Sequence, residues 1–254
     1  MMTDPPERKT AVITGSGGGI GKACACRFKE AGYDVILLDL NTEAAEKTAE
    51  VIGVGKDHCF KTDVSKEESV RETVEAVLER FGHIDALINA AGIPGGSGRI
   101  ENYPVRSAEK VLAVNVMGTF LMMQAVLPSM QERGKGAIVN FGSVSGHRGY
   151  QYECIYGASK AAVIELTRTA GNENGANGVH INSVSPGWVN TEMMKQTIEG
   201  YHGAGYCYDN VRYGPMKRAA APSEIANVVC FLCSDEASYI NGSDILIDGG
   251  KITD

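Results

Sequence analysis

Seven short apolar runs recur along this chain of 254 residues, each separated from the next by a stretch long enough for a helix. They fall at 10–14, 34–39, 58–63, 85–90, 136–142, 179–185 and 244–248. Each is apolar continuously rather than alternately, as a strand covered on both faces requires. Between them the sequence predicts helices over 21–31, 42–52, 66–81, 107–131, 154–171 and 222–233. Such alternation forces right-handed crossovers, so the predicted fold is α/β: a doubly wound parallel sheet of about seven strands, with helices on both faces. No repeat or low-complexity linker interrupts it, and residues 1–254 read as a single domain. Ligands of such sheets bind beyond the carboxyl ends of the strands, where the strand order reverses. Asp39, Asp63, Asn89 and Ser143 each stand at or just past a predicted strand end, so the polar candidates converge on one edge.

The first strand, Thr10 to Thr14, runs directly into Gly15-Ser16-Gly17-Gly18-Gly19-Ile20-Gly21 and then into a helix. Strand, glycine turn and helix together aim free backbone N–H groups at a pyrophosphate, with glycine where the backbone must come close. The second run ends in Asp39, twenty residues beyond Gly19. A carboxylate there suits a ribose diol and repels a 2′-phosphate. Neither Gly18 nor Leu40 offers a cation to such a phosphate, so the expected cofactor is NAD rather than NADP.

Tyr156 and Lys160 lie one helical turn apart, with Ser143 thirteen residues upstream. Residues at i and i+4 are neighbours on a helix. An ammonium beside a phenol favours the phenolate and draws its pKa down from about 10 toward the working range. Ser143 is then placed to hydrogen-bond a substrate oxygen on which charge develops. A lone Tyr-x-x-x-Lys is common in helices; its company gives it weight.

These residues, in this order, resemble the short-chain dehydrogenase/reductase family across nearly the whole chain. Thr14-Gly15-x-x-x-Gly19-x-Gly21 is similar to its cofactor signature, with Gly17 and Ile20 inside the same turn. Asp63-Val64 matches the pair beside the adenine, and Asn89-Ala90-Ala91-Gly92 its Asn-Asn-Ala-Gly motif, with Ala90 as a departure. Asn115 matches the asparagine that completes a catalytic tetrad with Ser143, Tyr156 and Lys160. Pro186-Gly187-Trp188-Val189-Asn190-Thr191 matches the segment bordering the nicotinamide, with Thr191 near its carboxamide. Pro222-Ser223-Glu224-Ile225-Ala226 and Asp248-Gly249-Gly250 are similar to C-terminal landmarks. The resemblance implies a Rossmann-like fold and NAD-linked exchange of a secondary alcohol and a ketone, with Tyr156 as general acid/base. It also implies a nicotinamide-ribose contact for Lys160, a water held by Asn115, and a homo-oligomer, dimer or tetramer.

Net charge is −7, with no basic stripe, which argues against a nucleic-acid partner. No apolar stretch is expected to approach the roughly 18 residues that span a bilayer. Residues 1–7 look like a short flexible tail without an apolar signal segment. Seven cysteines, scattered through predicted elements, suit a reduced, cytoplasmic chain. Cys230 and Cys233 have redox-motif spacing but lie in an apolar helical run and read as packing. The five histidines are isolated, so no metal is expected.

Segment 192–218 carries Met193, Met194, Tyr201, His202, Tyr206, Tyr208 and Tyr213 among glycines 200, 203, 205 and 214, and reads as a substrate lid. His147, Arg148, Gln151 and Glu153 are candidates for a substrate's polar groups. A medium-sized hydroxylated or cyclic secondary alcohol or ketone is expected. The alternatives are an NADPH-dependent ketoreductase of a fatty-acid or polyketide type, and a non-catalytic nucleotide sensor on the same fold. In 171–178, rich in asparagine and glycine, the fifth predicted helix is expected to fray near Gly171 or soon after.

Overall fold

A computed structural model describes residues 8–205 and 213–253. Seven strands, β1 (Thr10–Thr14), β2 (Asp34–Asp39), β3 (Cys59–Lys61), β4 (Ala86–Asn89), β5 (Gly136–Phe141), β6 (Val179–Pro186) and β7 (Asp244–Ile247), form one sheet in the order β3-β2-β1-β4-β5-β6-β7. Every neighbouring pair is parallel. The expected sheet is therefore present, and its order reverses between β1 and β4, the position at which doubly wound folds open a crevice.

Strand residues alternate between two cores. Ala11, Ile13, Val35, Leu37, Ile88 and Val139 pack with Phe28 of α1 (Gly19–Glu30), Ala45 and Ala49 of α2 (Thr42–Ile52), and Ile225 and Val229. Val12, Ile36, Leu38, Leu87 and Ile138 pack on the other face with Val70 and Val74 of α3 (Glu67–Phe81), and with Met122 and Val126. Burial on both faces explains why the strands read as continuous apolar runs.

The segment expected as one helix over 107–131 is α4 (Val105–Leu112), a π-helical turn (Ala113–Met117) and α5 (Gly118–Arg133) in unbroken succession. It contradicts the expectation that no apolar stretch nears spanning length: by length and composition alone, an 18-residue window with mean hydropathy 1.7 qualifies. Its apolar side chains Met122, Val126 and Met130 are buried against the sheet. α8 (Pro222–Leu232) holds Cys230, with Cys233 just beyond it. Both thiols and that of Cys24 are buried, and burial pushes them up, which suits packing rather than redox chemistry.

α6 (Cys154–Asn174) continues three residues past Gly171 before a 3₁₀ turn over Gly175–Asn177. This helix end is held by side-chain bonds, among them those of its buried Asn174. Asn241 Nδ2 donates to Gly171 O (2.8 Å), Asn174 Nδ2 to Ala170 O (2.8 Å), and Gln131 Nε2 to Asn174 Oδ1 (2.6 Å). Gly171 itself lies against backbone: a methyl there would stand 2.8 Å from Gly242 Cα. Alanine gains about 1 kcal/mol of helix propensity over glycine. Overpacking against rigid backbone costs about 1–3 kcal/mol. Gly171→Ala is therefore expected to destabilise the protein by up to about 2 kcal/mol in urea unfolding; a more stable variant would show that the two segments are not packed this closely.

Candidate active site

Strand ends and helix starts meet at the crevice between β1 and β4. α1 begins at Gly19, two residues earlier than expected, so the last three residues of the glycine-rich segment are already helix. Gly15 and Gly19 have φ of +64° and +54°, a region closed to most side chains. A methyl on Gly15 would meet Ala91 Cα at 2.9 Å, and one on Gly21 would overlap the Gly15 carbonyl. At Gly18 nothing lies within 4 Å, and no acidic residue occupies the first turn of α1. An open, glycine-lined helix N-terminus without a carboxylate fits a pyrophosphate. Across the crevice, a methyl on Gly19 would stand 3.5 Å from Thr191 Cγ2.

Asp39, at the end of β2, accepts from Gly17 N and Asn41 N, both at 2.8 Å. It braces the glycine turn and keeps acceptor capacity for a diol. Lys61 stands in register with it on β3, a neighbour that reading Gly18 and Leu40 alone did not reveal. Asp63, two residues past β3, accepts from Ser65 N (3.0 Å) and Ser65 Oγ (2.6 Å), while Val64 is buried against Gly118. Asn89 Nδ2 donates to Asn140 Oδ1 (2.9 Å), and its own Oδ1 is buried without a partner. Ala90, Gly92, Pro186, Gly187, Val189, Ile20 and Thr191 line a cavity of about 560 Å³ together with Ser143, Tyr156 and Lys160.

Ser143 lies two residues past β5 and accepts from Ser145 N at 3.2 Å. Tyr156 and Lys160 project from the first turns of α6, the Lys160 nitrogen 5.7 Å from the centre of the Tyr156 ring. That nitrogen donates to Phe141 O at 2.8 Å, the last carbonyl of β5. The expected lowering of the phenol by the ammonium is not what this arrangement produces. Burial, then the charge of Glu153, push Tyr156 up to about 12, against a smaller opposing pull from its hydrogen bond with Ser143. Burial lowers Lys160 to about 8. Removal from water is the largest cause for both groups.

Asn115 sits in the π-helical turn and is buried. Its Oδ1 accepts from Ile93 N (2.9 Å), and its Nδ2 donates to Ile93 O (3.0 Å) and Ser159 Oγ (3.1 Å). A methyl on Gly92 would be 3.4 Å from Asn115 Oδ1 and 3.7 Å from Lys160 Nζ. Asn115 thus ties the loop after β4 to α6, bonds made across the fold rather than within its own helix.

The remaining candidates divide. Glu153 lines the cavity. His147 does not: its Nε2 lies 2.7 Å from Asp244 Oδ2 and 3.3 Å from Ser185 Oγ, pinning the segment after Ser143 to β7. Arg148 and Gln151 are exposed and outside the cavity lining. The segment expected as a lid is helical in its first half, α7 (Glu192–Gly203), with Thr191 as its cap. Gly200, read as a joint, is inside that helix, where a methyl would press to 2.8 Å on Ser97 Oγ. Met193 and Met194 line the cavity, whereas Tyr201 is buried. Tyr206 and Tyr208 fall outside the described residues. Lys251 was missed: its nitrogen lies 5.2 Å from the Tyr150 ring and 5.3 Å from that of Trp188, inside the cavity. The signal was Asp248-Gly249-Gly250, whose glycines take φ of +63° and +82° and turn the chain back.

A tyrosine–lysine pair opening on the glycine turn of a doubly wound sheet defines the site of a dinucleotide-type oxidoreductase. A family model described as enoyl-(acyl carrier protein) reductase matches residues 15–251. The chain belongs to the short-chain dehydrogenase/reductase family of oxidoreductases. It is 37% identical over 250 residues to levodione reductase of Leifsonia aquatica, covering 96% of this chain and 94% of that one. It is 34% identical to cyclohexanol dehydrogenase of Acinetobacter sp. (strain SE19), covering 98% and 97%. Among solved structures it is similar to NAD⁺-bound xylitol dehydrogenase, with a TM-score of 0.90, 35% identity, and coverage of 97% and 100%.

Lys160 gives the site a pH signature. Its folded pKa, about 8, lies below its ordinary 10.5, so between those values the unfolded chain binds the extra proton and stability rises with pH. Above pH 10 the raised Tyr156 acts in the opposite sense. In thermal melts of the free protein, Lys160→Met is expected to lose the gain in stability between pH 8 and 10; an unchanged slope would mean that the ammonium is not buried as described.

Proposed function

We propose that this protein is an NAD(H)-dependent oxidoreductase that interconverts a secondary alcohol and a ketone. The observation that carries the reading is Tyr156 and Ser143 lining one cavity with Lys160 and the rim of the glycine turn. The named relatives, a levodione reductase, a cyclohexanol dehydrogenase and a xylitol dehydrogenase, act on compounds of that kind. Asp39 supports NAD over NADP, since a 2′-phosphate would meet its carboxylate.

Gly15, Gly17, Gly19 and Gly21 would receive the pyrophosphate, Asp39 the adenosine ribose, Asp63 and Val64 the adenine edge. Asn89, Ala90 and Gly92 would border the nicotinamide half on one side, and Pro186, Gly187, Val189 and Thr191 on the other. When bound, the cofactor supplies or accepts the hydride, and its oxidised ring adds a positive charge that favours the phenolate. Tyr156 moves the substrate's hydroxyl proton. Ser143 holds the oxygen on which charge builds. Lys160 binds the nicotinamide ribose, with Asn115 fixing the loop at Gly92 beside it. A phenol held protonated at neutral pH is ready to donate, which suits ketone reduction. α7, with Met193 and Met194 on the cavity, is the described part of the substrate cover, and exposed Val105, Leu112, Met117 and Phe120 along α4–α5 offer an apolar face for a homo-oligomer.

Tyr156→Phe is expected to lower kcat by about 10²–10⁴-fold while leaving NADH affinity, read by fluorescence titration, nearly unchanged. Turnover like that of the unmodified protein would refute the assignment of Tyr156. Side by side, NADH is expected to give a kcat/KM at least about ten-fold above NADPH, and Asp39→Ala to narrow that ratio; a preference for NADPH in the unmodified enzyme would overturn the cofactor reading and favour the ketoreductase alternative.

A further inference from the structure

Just ahead of α6 the chain makes a turn, Tyr150-Gln151-Tyr152-Glu153, that places two polar groups in the cavity opposite the glycine turn. Glu153 occupies the cap position of α6 yet makes no capping bond. Its carboxylate faces the cavity instead, where Oε2 accepts from Ser145 Oγ at 2.5 Å and Oε1 accepts from the Tyr201 hydroxyl. Both donors are neutral. A carboxylate has about four acceptor positions, so two stay open on a residue that lines the cavity. Tyr150 supplies the complement, a buried hydroxyl with no hydrogen-bond partner.

The turn between them is strained. Tyr152 has φ +68°, unusual for a bulky residue. It is held there by Gly98 N donating to its carbonyl at 3.3 Å and by an edge-on ring contact with Tyr201 at 6.3 Å. Strain kept in place by surrounding contacts is typical of ligand-contacting segments. An open acceptor and an unsatisfied hydroxyl on one strained turn describe a place for a group that both donates and accepts.

We propose that Glu153 and Tyr150 form a clamp for a second hydroxyl of the substrate, so that the enzyme takes neutral diols and polyols in preference to simple secondary alcohols. Glu153 accepts from that hydroxyl and Tyr150 donates to its oxygen. A substrate without the group leaves both protein atoms unsatisfied, the situation in which binding sites discriminate most strongly. A carboxylate in the same place cannot donate and is repelled by Glu153, although the Lys251 nitrogen, 5.2 Å from the Tyr150 ring, makes a hydroxy acid the natural competitor. The proposal rests on the alcohol–ketone reading above and assigns its substrate class.

The test is kcat/KM with NAD⁺ for three probes: cyclohexanol, 1,2-cyclohexanediol in both cis and trans forms, and 2-hydroxycyclohexanecarboxylate. The unmodified enzyme is expected to favour a diol over cyclohexanol by about ten-fold or more. Glu153→Leu is expected to cut the diol value about ten-fold further than the cyclohexanol value. Glu153→Gln, which keeps an acceptor oxygen, should restore part of the preference. Tyr150→Phe removes only a hydroxyl and lowers the same ratio, which keeps the test usable if Glu153→Leu does not fold. Equal losses on diol and cyclohexanol would overturn the proposal, leaving Glu153 merely a strut between α6 and α7. A preference for the hydroxy acid would overturn it as well. No turnover of any probe or of cyclohexanone, with either cofactor, removes the alcohol–ketone reading itself and the proposal with it.

Discussion

A buried ammonium bonded to the last carbonyl of a central strand governs the geometry of this site. Lys160 Nζ on Phe141 O fastens α6 to the end of β5, and that attachment decides where Tyr156 points and which loops crowd around it. The ammonium is unfavourably placed in the free protein, as its lowered pKa records. Functional sites commonly hold groups that folding alone would not choose, and the surrounding packing sustains them. Here the sustaining elements are two full cores, one on each face of the sheet.

Much of the architecture was legible because strands buried on both faces announce themselves as unbroken apolar runs. β1 and β2 occupy the expected residues, and β4 to β7 lie within a residue of them. β3 is shorter because it is the sheet edge beyond β2, with one neighbour to pair with. What the pattern did not disclose were features settled by tertiary bonds. The asparagine-rich end of α6 holds because Asn241 and Gln131 reach it from other elements. α7 was hidden by glycines that read as joints and instead allow close packing on Ser97.

The site residues were legible as positions but not as states. Spacing placed Tyr156 beside Lys160, yet spacing carries no information about dehydration, which reverses the expected direction of the phenol's shift. Likewise, His147 looked like a substrate contact from its neighbourhood in sequence. Its partner Asp244 is supplied by β7, almost a hundred residues later, and no local signal connects them. Lys251 entered through a backbone turn that the Gly249-Gly250 pair makes possible.

The π-helical turn at Ala113–Met117 bears on how this enzyme can change length over generations. Such a turn accommodates one surplus residue without breaking the helix around it. Losing a residue there would rewind the segment by about 100° and swing Asn115 off the loop it holds. A family can lengthen or trim its surface connections freely, but at this point of the chain a single deletion would undo the bonds that tie the loop after β4 to α6.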